Sequence, residues 1–196
     1  MESNYIAVAG NIGAGKTSLV TQLSQRLGWE PYPENPDVNP FLTLAYDDSR
    51  RWALASQIWF LASKTADLET IARRQRPSVL DRSIYENQLF ARALLSFDDY
   101  AIYEKGFAPI LASIKPPRTI VYLDAPVDIL SSRIQNRGRP YERGITLPYL
   151  TFLQELYEDW AASFTECPII RLRTEAMDSL VDRAVKLLKE TEENER

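Results

Sequence analysis

A glycine-rich segment near the start of the chain has the residue types needed to hold a phosphate chain. It matches the pattern G-x-x-x-x-G-K-[ST] and consists of Gly10, Asn11, Ile12, Gly13, Ala14, Gly15, Lys16 and Thr17. Glycines let backbone N–H groups turn towards phosphate oxygens, and the lysine and hydroxyl side chains suit terminal phosphates and Mg²⁺. With Ser18 added, this P-loop is predicted to bind ATP and Mg²⁺. A chance glycine-rich turn is the alternative.

The group that receives the phosphate is not identified by a P-loop, because ATPases, GTPases and kinases share that motif. Glu34 is a candidate general base, since it follows a predicted strand whose end can face the γ-phosphate. A solvated loop carboxylate is the alternative interpretation. Whether Glu34 lies near the P-loop depends on the arrangement of the strands.

Asp81 and Arg82 follow a later predicted strand and would therefore lie at the same sheet edge as the P-loop. Asp81 can hold Mg²⁺ through water. Arg82 can bridge Glu34 and an acceptor hydroxyl group while stabilising charge on the phosphoryl group. In the simpler alternative, Asp81 and Arg82 only cap the next helix.

Four arginines lie close together in the second half of the chain: Arg133, Arg137, Arg139 and Arg143. The first two are four residues apart, hence on one helical face, and Gly138 then interrupts the pattern. This arrangement predicts a cationic lid at about residues 133–145 that closes over phosphates and excludes water. A solvated arginine-rich helix face is the alternative.

The amino-acid composition excludes several kinds of chemistry. The chain has no histidine, so proton transfer must come from a carboxylate, a lysine, a tyrosine or water. Cys167 is the only cysteine, which excludes an internal disulfide and favours a cytoplasmic location. The net charge of −4 gives no general attraction for nucleic acid or an anionic membrane, and no apolar run is long enough to span a bilayer. The 196 residues are predicted to form a single domain.

The elements that must position these residues alternate between strand and helix. Short apolar runs predict strands at residues 5–9, 29–32, 78–81, 119–123 and 168–172. Residues 50–74 contain neither proline nor glycine and predict a long helix. Such alternation predicts an α/β fold with a parallel sheet, helices on both faces and ligands at the carboxyl ends of the strands. A last helix at residues 176–189 is predicted to end in a frayed tail at about 190–196.

Together these features resemble the deoxynucleoside kinase family, which includes deoxycytidine, deoxyguanosine and deoxyadenosine kinases. The resemblance spans nearly the whole chain and is carried by residues 10–17, 33–34, 46–57, 81–85 and 133–142. It implies a P-loop kinase fold with a five-stranded parallel sheet and an arginine-rich lid. It also implies ATP-dependent phosphorylation of the 5′-hydroxyl group of a 2′-deoxynucleoside, in a protein that is typically a homodimer formed through its long helices.

The resemblance also implies roles for the matching residues. Glu34 would accept the proton of the 5′-hydroxyl group and Arg82 would orient it. Thr17 and Asp81 would place Mg²⁺, while the lid arginines would cover the phosphates: Arg133, Arg137 and Arg139. The segment at residues 173–178, after the last strand, would lie near the base of ATP.

Three further residues would bind the deoxynucleoside by the same resemblance. Tyr46 and Glu142 would hold the 3′-hydroxyl group of the sugar, and Gln57 would pair with the base; a buried, satisfied amide is the alternative for Gln57. Eleven residues separate Tyr46 from Gln57, or about three helical turns, so both would share one face of a helix that extends so far.

The base preference is left open by departures from the family's pattern. Lys64 replaces an arginine about two helical turns beyond Gln57, so a point charge replaces a planar fork. After the segment 82–85 the family's pattern has an acidic residue, and an ungapped count reaches Asn87 although the acidic residue here is Glu86, so either can face the base. A polar pocket favours a purine or cytosine over thymine. A thymidylate-type nucleoside monophosphate kinase and a non-catalytic nucleotide-binding subunit remain alternatives.

Overall fold

The computed structural model describes residues 3–173 and 177–194 of the chain. Its strands are β1 (Tyr5–Gly10), β2 (Glu30–Tyr32), β3 (Ser78–Asp81), β4 (Ile120–Asp124) and β5 (Ile169–Arg173). Its α-helices are α1 (Lys16–Leu27), α2 (Leu42–Asp47), α3 (Ser49–Arg74), α4 (Glu86–Leu94), α5 (Phe97–Ser113), α6 (Val127–Arg137), α7 (Leu147–Ser163) and α8 (Met177–Asn194). Two 3₁₀ turns lie at Pro36–Val38 and Pro140–Gly144.

All strands of the described residues are parallel and form one sheet in the order β2-β3-β1-β4-β5. The central strand β1 pairs with β3 on one side and with β4 on the other. All six of its residues are buried, because a central parallel strand is covered by helices on both faces. Since the P-loop follows β1 directly, the sheet places that loop at its carboxyl edge between the ends of β3 and β4.

Each face of the sheet has its own apolar core. Ile6 and Val8 of β1 pack in a core with α1, α6 and α8, whereas Ala7 and Ala9 pack in the other core with α3, α4, α5 and α7. The two pairs alternate because successive side chains of a strand point to opposite faces. The predicted α/β fold with helices on both faces is thereby confirmed. Within residues 3–173 and 177–194, no helix combines the length and apolar character needed to cross a bilayer.

The last helix is longer than the sequence predicted, because α8 continues to Asn194, whereas the frayed tail at about 190–196 stays a prediction. Leu180 and Ala184 are fully buried against the sheet, and Leu188 is nearly so, which anchors successive turns of this amphipathic helix. No proline or glycine follows them to end the helix. Residues 195–196, the rest of the predicted tail, lie outside the described part of the chain.

Tyr46 and Gln57 lie on two different helices, so the condition for a shared helical face is not met. Tyr46 lies on α2 and Gln57 on α3, because the backbone leaves the helical conformation at Asp48 with φ −140°. The side chain of Asp48 then caps α3 by accepting a hydrogen bond from the N–H group of Arg51. The aspartate therefore ends one helix and begins the next.

Candidate active site

The P-loop joins the end of β1 to the start of α1 in a tight turn. Gly13 has φ +83°, and a Cβ atom there would lie 2.8 Å from the carbonyl oxygen of Leu130. At Gly10, a Cβ atom would lie 2.8 Å from the carbonyl oxygen of Leu123. Glycine is therefore required at both positions, where the loop packs against α6 and β4. The first turn of α1 follows immediately and gives this place the positive potential that favours a bound anion.

Two cationic side chains lie against the P-loop. Lys16 Nζ donates hydrogen bonds to the carbonyl oxygens of Gly10 at 2.7 Å and Asn11 at 3.1 Å. From α6, Arg133 Nη1 donates to the carbonyl oxygen of Ala14 at 3.1 Å. The loop that would hold the phosphates is thus flanked by a cation of its own and one from the lid helix.

Thr17 and Asp81 bring two oxygen ligands together beside the P-loop. Thr17 Oγ1 donates a hydrogen bond to Asp81 Oδ2 at 2.6 Å, and the buried Oδ1 atom of Asp81 has no hydrogen-bond partner. A hydroxyl and a carboxylate are ligands that Mg²⁺ prefers, usually together with waters and substrate phosphates. Residues 3–173 and 177–194 contain no cluster of three or more side chains that could hold a metal by themselves. The pair therefore fits an ion that arrives with a nucleotide.

Glu34 lies beyond β2 between two buried cations. Arg82 Nη1 donates a hydrogen bond to Glu34 Oε2 at 3.1 Å, and Lys64 Nζ lies 3.8 Å from Oε1. Burial raises the pKa of Glu34, but Arg82, Lys64 and Lys16 together hold that pKa below its ordinary value. The side chain is therefore an ionised carboxylate at neutral pH, which is the form that accepts a proton.

Arg82 is held from several sides. It is a non-glycine residue with φ +62°, a strained conformation that persists where surrounding contacts impose it. Its guanidinium carbon lies 5.3 Å from the ring centroid of Phe60 and 4.4 Å from that of Phe90. Its Nη2 atom donates to Asn87 Oδ1 at 3.0 Å. These contacts direct the remaining edge of the guanidinium group towards Glu34.

A cavity of about 580 Å³ opens from the P-loop towards α2 and α3. Its volume suits a small ligand. Its walls include the predicted residues Glu34, Tyr46, Gln57, Arg82 and Glu142. Gln57 is 3% exposed, and its Oε1 atom has no hydrogen-bond partner. A buried, unpartnered amide oxygen is a site where a ligand N–H group can bind.

The lid segment closes one side of this cavity. Gly138 ends α6 in the left-handed conformation with φ 69°, and the chain continues into the second 3₁₀ turn. Arg137 donates two hydrogen bonds to Glu142, at 3.0 Å and 2.7 Å. Arg139 Nη1 lies 3.6 Å from the same carboxylate. Glu142 is thus held at the cavity wall by two of the predicted lid arginines.

The lid also contacts the segment that follows Glu34. Tyr141 Oη donates a hydrogen bond to Asp37 Oδ1 at 2.5 Å, and Arg139 Nη2 lies 3.7 Å from Asp37 Oδ2. The ring of Tyr141 stacks on Tyr46, with 5.8 Å between the centroids. The lid, the first 3₁₀ turn and α2 therefore meet beside the cavity.

Comparison with known proteins agrees with this arrangement of sheet, P-loop and lid. The family model described as "Deoxynucleoside kinase" matches residues 6–194. The chain belongs to the deoxynucleoside kinase family. A deoxyadenosine/deoxycytidine kinase of Bacillus subtilis is 35% identical over 189 residues, which cover 92% of this chain and 87% of the relative. The deoxyguanosine kinase of the same organism is 35% identical over 158 residues, which cover 79% of this chain and 76% of the relative.

The fold is also that of solved kinase structures. A deoxyadenosine kinase from M. mycoides superposes with a TM-score of 0.85 at 22% sequence identity, covering 95% of this chain and 99% of that one. The five-stranded P-loop kinase fold implied by the resemblance is thus confirmed. Membership of the family also confirms the predicted reaction class, the ATP-dependent phosphorylation of a deoxynucleoside hydroxyl group.

In this kinase, two residues predicted to bind substrate do not line the cavity. Lys64 is 2% exposed and donates to the carbonyl oxygen of Asp81 at 2.5 Å, so it lies behind Glu34. Asn87 is fully buried and holds Arg82. Both side chains contact the Glu34–Arg82 pair, and the rings of Phe60 and Phe90 pack on the guanidinium group of Arg82.

Glu86 does not face the cavity either, since its carboxylate bonds to the P-loop and to the Ser83 backbone. In the segment predicted to lie near the base of ATP, residues 174–176 lie outside the described part of the chain. The methyl carbon of Met177 lies 3.6 Å from the place that a Cβ atom on Gly15 would take, so α8 begins beside the P-loop.

Several residues of the site were missed in the sequence. Tyr149 lines the cavity, and Tyr141 and Asp37 join the lid to the segment after Glu34. Tyr141 lies between two residues of the predicted lid, Arg139 and Glu142, which was a signal that it lies near the site. Nothing in the spacing of Asp37 or Tyr149 indicated their contacts, because these cross from one element to another.

Proposed function

We propose that the cavity binds a 2′-deoxynucleoside with its 5′-hydroxyl group at Glu34, facing the γ-phosphate of ATP on the P-loop. The observation that carries this proposal is the position of Glu34. Its carboxylate is paired with Arg82 and Lys64 at the cavity wall, next to the P-loop. A partly buried base of this kind suits a neutral hydroxyl acceptor.

Phosphoryl transfer then proceeds by displacement at the γ-phosphorus atom. The 5′-oxygen forms a bond to phosphorus as the bond from phosphorus to the β–γ bridging oxygen breaks. The hydroxyl proton passes to Glu34, and ADP leaves with the electron pair of the broken bond. Arg82 holds Glu34 in place, and Lys16 and Arg133 stabilise the charge on the phosphoryl oxygens.

Mg²⁺ is proposed as the metal that accompanies ATP. Thr17 and Asp81 would hold it, as supported by their 2.6 Å contact and by the unpartnered Oδ1 atom of Asp81. When bound, Mg²⁺ neutralises charge on the β- and γ-phosphates. Arg137 and Arg139 would complete the lid over the same phosphates.

The sugar and base are proposed to lie between α2, α3 and the lid. Tyr46 and Glu142 would hold the 3′-hydroxyl group, since both line the cavity. Gln57 would pair with the base through its amide. The unpartnered Oε1 atom of Gln57 can accept a hydrogen bond from an exocyclic amino group, which adenine, guanine and cytosine carry and thymine lacks. A purine or cytosine is therefore the proposed base.

The alternatives fit the cavity less well. A nucleoside monophosphate kinase must bind an acceptor phosphate, for which the carboxylate of Glu34 is an unfavourable neighbour. A non-catalytic nucleotide-binding subunit would not need the contacts among Glu34, Arg82 and Lys64. These contacts favour a catalytic protein with a hydroxyl acceptor.

The proposal is tested by incubating the protein with Mg-ATP and each of the four deoxynucleosides in turn, and with thymidylate as a competing acceptor. Formation of monophosphate from a deoxynucleoside, with at least about a 100-fold loss of kcat in Glu34→Gln, is the expected result. Phosphorylation of thymidylate alone would favour the monophosphate kinase. ATP binding without turnover on any acceptor would favour the non-catalytic subunit.

A homodimer is the proposed assembly, supported by exposed apolar side chains such as Ile58 on α3 and Ile102 on α5. The cytoplasmic location and the single-domain organisation expected from the sequence remain predictions.

A further inference from the structure

Glu86 is a buried carboxylate for which the proposed reaction has no direct use. It is the first residue of α4, its exposed fraction is 0%, and it does not line the nucleoside cavity. Burial raises the pKa of Glu86, while Lys16, Arg82 and the hydrogen bonds from Tyr157 and Gly10 oppose that change. The oxygens of a buried carboxyl group need hydrogen-bond donors, and the oxygens of Glu86 have three of them.

The two oxygens of Glu86 bond to two different parts of the site. Oε1 accepts hydrogen bonds from the Gly10 N–H group at 3.1 Å and from Tyr157 Oη at 2.6 Å. Oε2 accepts a hydrogen bond from the Ser83 N–H group at 2.6 Å. Gly10 is the first residue of the P-loop, and its carbonyl oxygen accepts from Lys16. Ser83 directly follows the catalytic Arg82. One carboxylate therefore joins the donor side of the site to the acceptor side.

The hydrogen bonds of Glu86 lie just beyond the point where the backbone pairing of β1 with β3 ends. The pairing of β1 with β3 ends at Val8 opposite Asp81, and the last bond beyond it runs from the Arg82 N–H group to the Val8 carbonyl oxygen at 3.0 Å. Past that point Gly10 pairs with β4 instead. Beyond this position, the described residues show no further backbone hydrogen bond between β1 and β3 that could fix the P-loop relative to Arg82.

A carboxylate is required for this bridge because both of its ends must accept. A glutamine has one acceptor oxygen and one N–H₂ group, so in either orientation one of the two backbone N–H groups would face another donor. A buried N–H group without an acceptor is unfavourable, and the backbone would move to relieve it. The bridge therefore cannot be preserved by an amide of the same shape.

We propose that Glu86 is a positioning residue for phosphoryl transfer. By accepting hydrogen bonds from the Gly10 and Ser83 N–H groups, it fixes the position of the P-loop relative to Arg82. The inference rests on the proposed function, since register between donor and acceptor matters for a reaction between them. A displacement of about 1 Å between reacting groups lowers the rate by about 100-fold without removing either binding site.

The test compares Glu86→Gln with the wild-type protein. We expect kcat to fall about 10- to 100-fold, while the KM for the deoxynucleoside and the dissociation constant for Mg-ATP change less than about threefold. The amide proton signals of Gly10 and Ser83, measured by NMR, provide a second readout. Hydrogen bonds to a carboxylate shift such signals downfield, and we expect at least one to move upfield in the variant.

Two control variants separate positioning from stability. Glu158→Gln is the same change on α7, where the carboxylate contacts Tyr122 and Arg171, and is expected to retain wild-type kcat. Tyr157→Phe removes the third donor but leaves both backbone bonds, so we expect a lower Tm with kcat within about threefold of wild type. The proposal would be overturned if Tyr157→Phe and Glu86→Gln lost kcat in the same proportion to their loss of Tm, because the loss of activity would then reflect lower stability alone.

If Glu86→Gln does not fold, Glu86→Asp carries the test, because it keeps two acceptor oxygens on a shorter stem. A lower kcat with unchanged KM supports the proposal there, and wild-type kcat overturns it. Absence of turnover in the wild-type protein would overturn the proposed function instead. The bridge would then be judged by the amide signals, which do not depend on the reaction.

Discussion

Charged side chains that are distant in sequence meet at Glu34, and their positive charges lower the pKa of its carboxylate. Lys64 comes from α3 and Arg82 from the end of β3, yet both contact the same carboxylate. Because Lys64 is 2% exposed, water screens its interaction with Glu34 only weakly. Lys64 therefore contacts the proposed general base and does not line the cavity.

Replacing Lys64 by methionine is expected to change the pH dependence of the reaction. Lys64 is one of the cations that lower the pKa of Glu34, so its loss raises that pKa. The base then becomes protonated at a higher pH, and the acidic limb of kcat/KM moves to higher pH. The measurement is kcat/KM from about pH 4 to pH 8, the range in which carboxylates titrate. Lys105→Met, on the exposed surface of α5, is the control; an unmoved limb in Lys64→Met would contradict the role given to Lys64.

Gln57 is expected to contribute binding energy through its unpartnered amide oxygen. In Gln57→Leu, donors on the base would be buried without a partner, so kcat/KM for the preferred deoxynucleoside should fall about 10- to 100-fold. Steady-state kinetics with all four deoxynucleosides measures this. Gln88→Leu, which removes an amide bonded to Glu104 outside the cavity, is the matched control. Equal losses in both variants would argue against base recognition by Gln57.

At the scale of elements, the site depends on short turns that connect the sheet to the helices. The first 3₁₀ turn follows Glu34, and the second lies in the lid, so the contact between them orders both sides of the cavity entrance. Asp37 provides this contact by accepting from Tyr141 and facing Arg139. Its exposed position makes the contact weaker than a buried ion pair.

Asp37→Ala is expected to loosen the lid without changing the chemistry. Losing one exposed hydrogen bond and one ion pair should raise the KM for the deoxynucleoside by about three- to tenfold, with a smaller effect on kcat. Kinetics at saturating Mg-ATP measures this. Asp47→Ala removes another exposed aspartate, at the end of α2, and should leave both constants unchanged. A selective loss of kcat in Asp37→Ala would assign Asp37 to catalysis instead.

At the scale of the whole molecule, the sheet separates two cores and unites two binding sites at one edge. The P-loop leads into α1, on the side of the first core, whereas the cavity is lined by α3 and α4 of the second. Ligands bound at this edge would contact elements from both cores. Their binding should therefore stabilise the fold as a whole.

Ligand binding is expected to raise the melting temperature. At about 100 times its dissociation constant a ligand adds about 2.7 kcal/mol of stability, which corresponds to about 5–10 °C for a chain of this size. Calorimetry of Glu34→Gln with Mg-ATP and a deoxynucleoside measures this with little turnover. The increase should be larger with both ligands than with either alone. Equal melting temperatures with and without the deoxynucleoside would argue against the cavity as its site.

Sedimentation is expected to give a mass twice that of the 22.5 kDa chain. Ile102 on α5 is 54% exposed, and its replacement by glutamate should dissociate the dimer if that face forms the interface. Ile129→Glu makes the same change on α6, which packs in the other core, and should leave the mass unchanged. A wild-type mass of one chain would contradict the homodimer.

The sequence by itself determined the strands, the long helix and the P-loop of this protein. These depend on local patterns: apolar runs such as β1, turns that favour glycine, and the charged residues that follow strand ends. Because parallel strands bring their carboxyl ends to one edge, Glu34, Asp81 and Lys16 were expected together before any contact was known. The resemblance to a family then assigned them roles.

Only the tertiary structure decided which side chains line the cavity and which contact other side chains instead. Lys64 and Asn87 have the residue types of substrate ligands, but packing turns them towards Glu34 and Arg82. The bridge of Glu86 could not be predicted from the sequence either, because Glu86 and Gly10 are 76 positions apart. Side-chain direction depends on the space that neighbouring elements leave free, and one chain's spacing does not contain that information.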